Sequence, residues 1–205
     1  QAPSAGTALI QRMGNPTAAA LDISAACAGF CYGVAMAHDF VRAGSAKKVL
    51  VVGVEKLSDF TDPTDRATAF IFADGAGAVV IGESIDAGIG PVEWGSDSEN
   101  REAILMNPSW IDVRNTETQL TKADIKWPNI TQEGQKVFRW AVFSMSKAAL
   151  KALDSAGLSV NQIDAFIPHQ ANVRIIETMA KEMKLPASVV IADDIKTNGN
   201  TSSAS

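Results

Sequence analysis

Apolar and polar positions fall into blocks that predict alternating helices and strands. Residues 5–14 carry a helical pattern that Gly14 ends, with Pro16 just beyond. Residues 19–23 read as a short buried strand, and 28–43 as a helix closed by Gly44. Lys48–Glu55 (KVLVVGVE) is a β-branched run between turn signals, which predicts a buried parallel strand. Residues 58–66 form a polar loop containing Asp-Pro-Thr-Asp-Arg. Residues 68–81 read as two strands joined at Asp74-Gly75, a hairpin signal.

Residues 86–88 (Asp-Ala-Gly) are the expected boundary between two halves, 1–87 and 88–205. A strand is expected at 89–94, then a long irregular stretch over 95–133 holding Pro108 and Pro128. Residues 135–156 form an amphipathic helix. Phe138, Val142, Met145 and Ala149 share one face, and Gly157 ends it. A strand at 164–168, a helix at 173–184 and a strand at 188–192 follow. This grammar predicts an α/β fold with mainly parallel sheets covered by helices. Ligands in such folds bind beyond the carboxyl ends of the strands.

Composition narrows the function. Of 205 residues, 46% are hydrophobic and 20% charged, enough for a packed core. The formal net charge of -5 argues against a nucleic-acid binder. No apolar run approaches the roughly 20 residues of a membrane helix, and the first residues do not read as a secretory leader. Two cysteines make no disulfide framework, so a reducing cytoplasm is expected. Gln1 opens without Met, and the closing Asn-Thr-Ser-Ser-Ala-Ser reads as a helix start, so a fragment is expected.

Three polar residues carry the candidate chemistry. Cys27 follows a predicted strand and begins a helix, where unpaired backbone N–H groups and the helix dipole favour thiolate. Small neighbours at Ala25, Ala26, Ala28 and Gly29 leave room for a substrate. Taken alone, Cys27 also fits a buried structural cysteine. Cys31, one turn further, is read as structural, and the two make no zinc site. His38 shares the helix with Cys27 but lies about 16 Å along it, too far to be a direct partner. His169, at the end of a predicted strand, fits a structural histidine when taken alone; as the one remaining imidazole it is the candidate partner for Cys27. Asn200 sits between a predicted strand and helix. Alone it fits an N-cap; beside the other two, one shared site explains it better.

The motifs Ala-Ala-Cys-Ala-Gly-Phe, Asp-Pro-Thr-Asp-Arg, Phe-Ala-Asp-Gly-Ala-Gly-Ala, Pro-His-Gln-Ala-Asn-Val-Arg and Gly-Asn-Thr-Ser-Ser-Ala-Ser occur here in order. Together they resemble the β-ketoacyl-acyl-carrier-protein synthase III family, with Ser109-Trp110-Ile111 similar to actinobacterial members. The resemblance implies a thiolase-like αβαβα fold of two similar halves, incomplete in this chain. The first half would carry the nucleophile, and the second His169 and Asn200. It implies a cytoplasmic homodimer that condenses an acyl-CoA with malonyl-acyl-carrier protein through a Cys27-His169-Asn200 triad. No metal or organic cofactor is implied. Arg66, Phe138, Ala171 and Asn172 would line a coenzyme A channel; Gln135 stands where the family often has Asn. Arg139, Gln170, Arg174 and Lys181 would face the acidic carrier protein. On this reading Lys48–Glu55 could belong to a sheet continuing across the dimer interface.

Against the family, the opening βαβ unit is missing, and so is the C-terminal part with its glycine-rich oxyanion loop. The isolated segment is therefore expected to be inactive. Ala2 stands where some members place a bulky residue, which implies a roomier acyl pocket. A papain-type hydrolase shares the residue types but not the two-half arrangement. A polyketide-priming or O-acylating relative would have the same triad, and a non-catalytic scaffold or chain-length partner would not need the thiol.

Overall fold

The computed structural model describes residues 2–86, 88–116 and 126–205. Helix α1 (Ala5–Arg12) is capped twice: the Ser4 hydroxyl accepts from Thr7 N, and the Asp22 carboxylate accepts from Ala5 N and Gly6 N, both at 2.9 Å. These bonds hold the Asp22 carboxyl below its ordinary pKa. They also tie the chain just ahead of Cys27 to α1. Residues 19–23 form no strand.

Helix α2 (Gly29–Arg42) buries its small residues Gly33, Ala35 and Ala37, and Gly44 follows with φ 73°. The small stripe lets α2 lie close on β1 (Lys48–Glu55): a Cβ on Gly33 would sit 2.8 Å from Val51 Cγ1. β1 pairs antiparallel with β2 (Gly75–Gly82), Lys48 opposite Gly82 and Glu55 opposite Gly75. This corrects the parallel pairing expected for 48–55. It also corrects the burial, since Leu50, Val52 and Val54 all lie on an exposed face. No hairpin forms at Asp74-Gly75. Asp74 instead accepts from the backbone and hydroxyl of Ser58, at 2.8 and 2.7 Å, closing the 56–74 loop.

The 95–133 stretch holds more order than its sequence suggests. β3 (Ile104–Asn107) pairs antiparallel with β4 (Asn129–Gln132), and α3 (Trp110–Thr116) lies between them in sequence. Residues 89–94 form no strand. The predicted 135–156 helix is three pieces: α4 (Gly134–Trp140), one π-helical stretch (Ala141–Met145) and α5 (Ser146–Ser155). Beyond them β5 (Ala165–Phe166) pairs in parallel with β6 (Val190–Ile191), flanking α6 (Val173–Glu182), and α7 (Ile195–Asn198) follows. Ala141, Val142, Ile175 and Met179 form the core here, with Phe138, Met145, Phe166 and Ala171 against it. The expected boundary at Ala87 lies outside the described residues.

The terminal segment 200–205 is inserted between these parts. Asn200 N donates to Ile71 O and Asn200 O accepts from Ala73 N, a parallel bridge to Phe72. A 3-10 turn, Ser202–Ala204, then packs on β1 and on the start of α2. Contact is so close that a Cβ on Gly53 would lie 2.0 Å from the Ser203 carbonyl oxygen. Gly53→Ala is therefore expected to destabilise the protein by about 3 kcal/mol, the upper end for overpacking. A lowered denaturant midpoint with an unchanged m-value checks it.

Candidate active site

Cys27 lies in a single 3-10 turn, Ala26–Ala28, that leads into α2. Ala26 adopts φ 45°, a left-handed conformation that costs a residue with a side chain about 1–3 kcal/mol. The thiol is half-buried. Burial pushes its pKa above the ordinary value, the Ser202 hydroxyl opposes this, and the Glu55 charge adds to it. The expectation of a thiolate favoured by the helix start is thus overturned. The α-helix proper begins only at Gly29, so Cys27 lies ahead of its first turn. Cys31 is exposed.

His169 follows β5 and is held by its neighbours. Both ring nitrogens are buried, and neither meets a partner in good hydrogen-bond geometry, the Ser205 backbone being the one group near enough to act on the ring. Burial lowers the imidazole pKa, and the backbone of Ser205 opposes this in part. The ring is therefore neutral at pH 7, with one N–H to give and one lone pair to accept. A buried polar group so poorly met costs stability unless something else meets it.

Asn200 is buried at 5% exposure. Its Oδ1 accepts from Ser202 N at 2.9 Å. A backbone N–H must meet an acceptor, so this bond assigns the oxygen and leaves the NH2 group as the donor the side chain can offer. Segment 200–205 thereby connects all three residues: Asn200 is bonded within it, Ser202 adjoins the Cys27 thiol, and Ser205 adjoins His169.

The other predicted residues divide into groups. Phe138 and Ala171 come together against the Val142–Met179 core. Asn172 caps α6, its Oδ1 accepting from Arg174 N at 2.8 Å. Arg66 is exposed in the turn that Asp62 and Asp65 organise. Arg139, Arg174 and Lys181 are exposed. Gln170 requires a correction. It is 2% exposed, donates to Pro168 O and Ala192 O, and accepts from Ile195 N, so it fastens α7 to the 168–170 loop and cannot meet a carrier protein. Ala2 is exposed.

Sequence reasoning missed Glu55. Its Oε1 accepts from Ser202 Oγ at 3.2 Å and from Ser203 Oγ at 2.9 Å. The available signal was a carboxylate closing an otherwise apolar strand. His38 is hydrogen-bonded to Asp39 and lines a separate cavity of about 350 Å³ with Arg42 and Trp94, away from the triad. Among the described residues no cluster of His, Cys, Asp and Glu could hold a metal ion. No helix among them is long and apolar enough to cross a membrane.

Known proteins share both the motifs and the backbone. The 3-oxoacyl-[acyl-carrier-protein] synthase III family model matches residues 21–98, and the model of that family's C-terminal part matches 153–205. A β-ketoacyl-[acyl-carrier-protein] synthase III of Streptomyces coelicolor is 54% identical over all of this chain and 61% of its own length. One of Mycobacteroides abscessus is 47% identical over all of this chain and 59% of its own. The chain thus spans about three fifths of the curated relatives it matches. A solved priming β-ketosynthase from a polyketide biosynthetic pathway superposes with TM-score 0.93 at 40% identity, covering 100% of this chain and 60% of that one. A synthase III from Thermus thermophilus gives 0.83 at 36% identity, covering 100% and 61%. The fold is the thiolase-like α/β fold of these structures. Motif order, backbone and the placement of Cys27, His169 and Asn200 around one segment thus converge, and the chain belongs to the 3-oxoacyl-[acyl-carrier-protein] synthase III family.

Proposed function

We propose that the full-length protein is an acyltransferase that condenses an acyl-CoA with malonyl-acyl-carrier protein to start fatty acid synthesis. The observation that carries this reading is the buried imidazole of His169, met by no partner in good hydrogen-bond geometry, beside a segment that presents the Asn200 amide and adjoins the Cys27 thiol. Cys27, as thiolate, attacks the thioester carbonyl of the acyl-CoA and expels coenzyme A, which leaves as the thiol. The malonyl thioester then loses carbon dioxide. His169 N–H and the Asn200 NH2 donate to its carbonyl oxygen as negative charge develops there. The carbon freed by decarboxylation attacks the acyl-Cys27 carbonyl, and the Cys27 thiolate leaves and is reprotonated. The backbone N–H of Cys27 supplies half of the oxyanion hole for that step.

On this reading the halves 1–87 and 88–205 contribute the nucleophile and the donor pair respectively. Arg66, Phe138, Ala171 and Asn172 line the coenzyme A path. Arg139, Arg174 and Lys181 meet the acidic carrier protein, and Arg174 and Lys181, seven residues apart on α6, share one face. The enzyme works in the cytoplasm as a homodimer and needs no metal or organic cofactor, since both thioesters are substrates. A polyketide-priming role is the second reading, favoured by the TM-score of 0.93 to a priming β-ketosynthase.

Product analysis of the full-length protein tests this. Acyl-CoA and malonyl-carrier protein are expected to give a β-ketoacyl-carrier protein and carbon dioxide in equal amounts. Hydrolysis of the acyl-CoA without a new carbon–carbon bond would refute it. A strong preference for the primers of polyketide synthesis would select the second reading.

A further inference from the structure

We propose that Glu55 is a positioning residue of this site, whose carboxylate grips the Ser202 and Ser203 hydroxyls and so sets segment 200–205 against Cys27. The inference rests on the catalytic reading above and deepens it. Glu55 ends β1, and β1 is held on one face by α2 and along one edge by β2. It is thus a rigid post. Its Oε1 receives two hydroxyls, at 3.2 and 2.9 Å, from residues about 150 positions later in the chain. Glu55 makes no ion pair among the described residues, so the serine hydroxyls are the partners that hold its charge.

The segment it grips requires an anchor. Ser202 has φ 53°, a left-handed conformation that a residue with a side chain keeps only when its surroundings enforce it. The same residue orients Asn200 through its backbone N–H, at 2.9 Å to Oδ1. One residue therefore carries three duties: its hydroxyl is held by Glu55, its amide holds Asn200, and it adjoins the Cys27 thiol. The hydroxyl has a single proton. Glu55 and the Cys27 sulfur therefore compete for it, and its pull on the sulfur holds the thiol pKa down in part. The negative charge of Glu55 acts the other way and raises the thiol pKa.

Two variants of the full-length protein separate these effects. Glu55→Ala removes grip and charge, whereas Glu55→Gln removes the charge and keeps a carboxamide oxygen that can accept. Glu55→Ala is expected to lower kcat for condensation about a hundredfold, the scale of a misplacement of about 1 Å, with KM for acyl-CoA nearly unchanged. Glu55→Gln is expected to recover at least about tenfold of that loss. Independently, the pH profile of Cys27 alkylation by iodoacetamide is expected to shift to lower pH in both variants. A Glu55→Ala protein with wild-type kcat and alkylation profile would overturn the inference, as would a folded Glu55→Gln no better than Glu55→Ala. If Glu55→Ala fails to fold, the Glu55→Gln alkylation profile decides. If the wild-type protein performs no condensation, the catalytic reading fails, and the alkylation shift still accepts or rejects the role of Glu55.

Discussion

Replacing Cys27 with serine is expected to abolish the acyl-enzyme and to lower condensation by at least about a thousandfold, since residues of a catalytic unit fail together. Serine keeps the shape of the site but is a far weaker nucleophile without a base tuned to it. The protein has only two thiols. Cys31 is the more exposed, yet it lies one turn into α2, and nothing places it against segment 200–205. Intact-mass measurement after mixing with acyl-CoA, followed by peptide mapping, distinguishes them. The adduct is expected on Cys27, to persist in Cys31→Ala, and to vanish in Cys27→Ser. Because burial raises the Cys27 pKa, the acylation rate is expected to climb with pH through neutrality and beyond. An adduct that survives in Cys27→Ser would remove the covalent mechanism as drawn.

How much of this was legible beforehand depends on whether the determining contact is local. Glycine signals are local, so α2 and its end at Gly44 fell near their predicted positions. The pairing partner of β1 is not local. KVLVVGVE reads as a strand buried on both faces, yet it carries Leu50, Val52 and Val54 on an exposed face and pairs antiparallel. Periodicity states that a run is apolar and says nothing of what covers each side. The Asp74-Gly75 hairpin failed for a related reason: the Asp74 side chain is taken by Ser58, sixteen residues earlier.

The site shows the same division. Cys27, His169 and Asn200 stand out in the sequence because each is expected to follow a strand or open a helix, where α/β folds place their chemistry; the structure puts Cys27 in a 3-10 turn, His169 after β5 and Asn200 after α7. Their electrostatics could not be read that way. A thiol at a helix start suggests thiolate, but the structure surrounds it with buried neighbours and a carboxylate, and the balance reverses. The family resemblance places Gln170 at the carrier-protein surface. Its two ends are instead consumed by backbone groups of Pro168, Ala192 and Ile195. Glu55 was invisible as a site residue because its partners, Ser202 and Ser203, lie at the other end of the chain.

Substituting His169 or Asn200 is expected to divide the reaction into its two halves. His169→Ala and Asn200→Ala should each still accept an acyl group on Cys27, while decarboxylation of malonyl-carrier protein falls about 100–1,000-fold, the cost of one oxyanion donor. The double variant should lose little more than the worse single one, because both donors serve the same developing charge. Trapping the acyl adduct while following carbon dioxide release measures the two steps separately. Equal loss of both steps would instead make His169 the base for Cys27. The buried imidazole also leaves a signature in stability. Its folded pKa lies below the unfolded value, so between the two the unfolded chain binds the extra proton. The contribution is intact above pH about 6.5 and is lost as pH falls through the folded pKa. His169→Ala is expected to flatten that part of the curve of unfolding free energy against pH. It should also relieve the two poorly met ring nitrogens, so that the variant is at least as stable as the wild type at pH 5. A buried imidazole whose hydrogen-bonding capacity is so little used by its own fold is one arranged to meet a ligand.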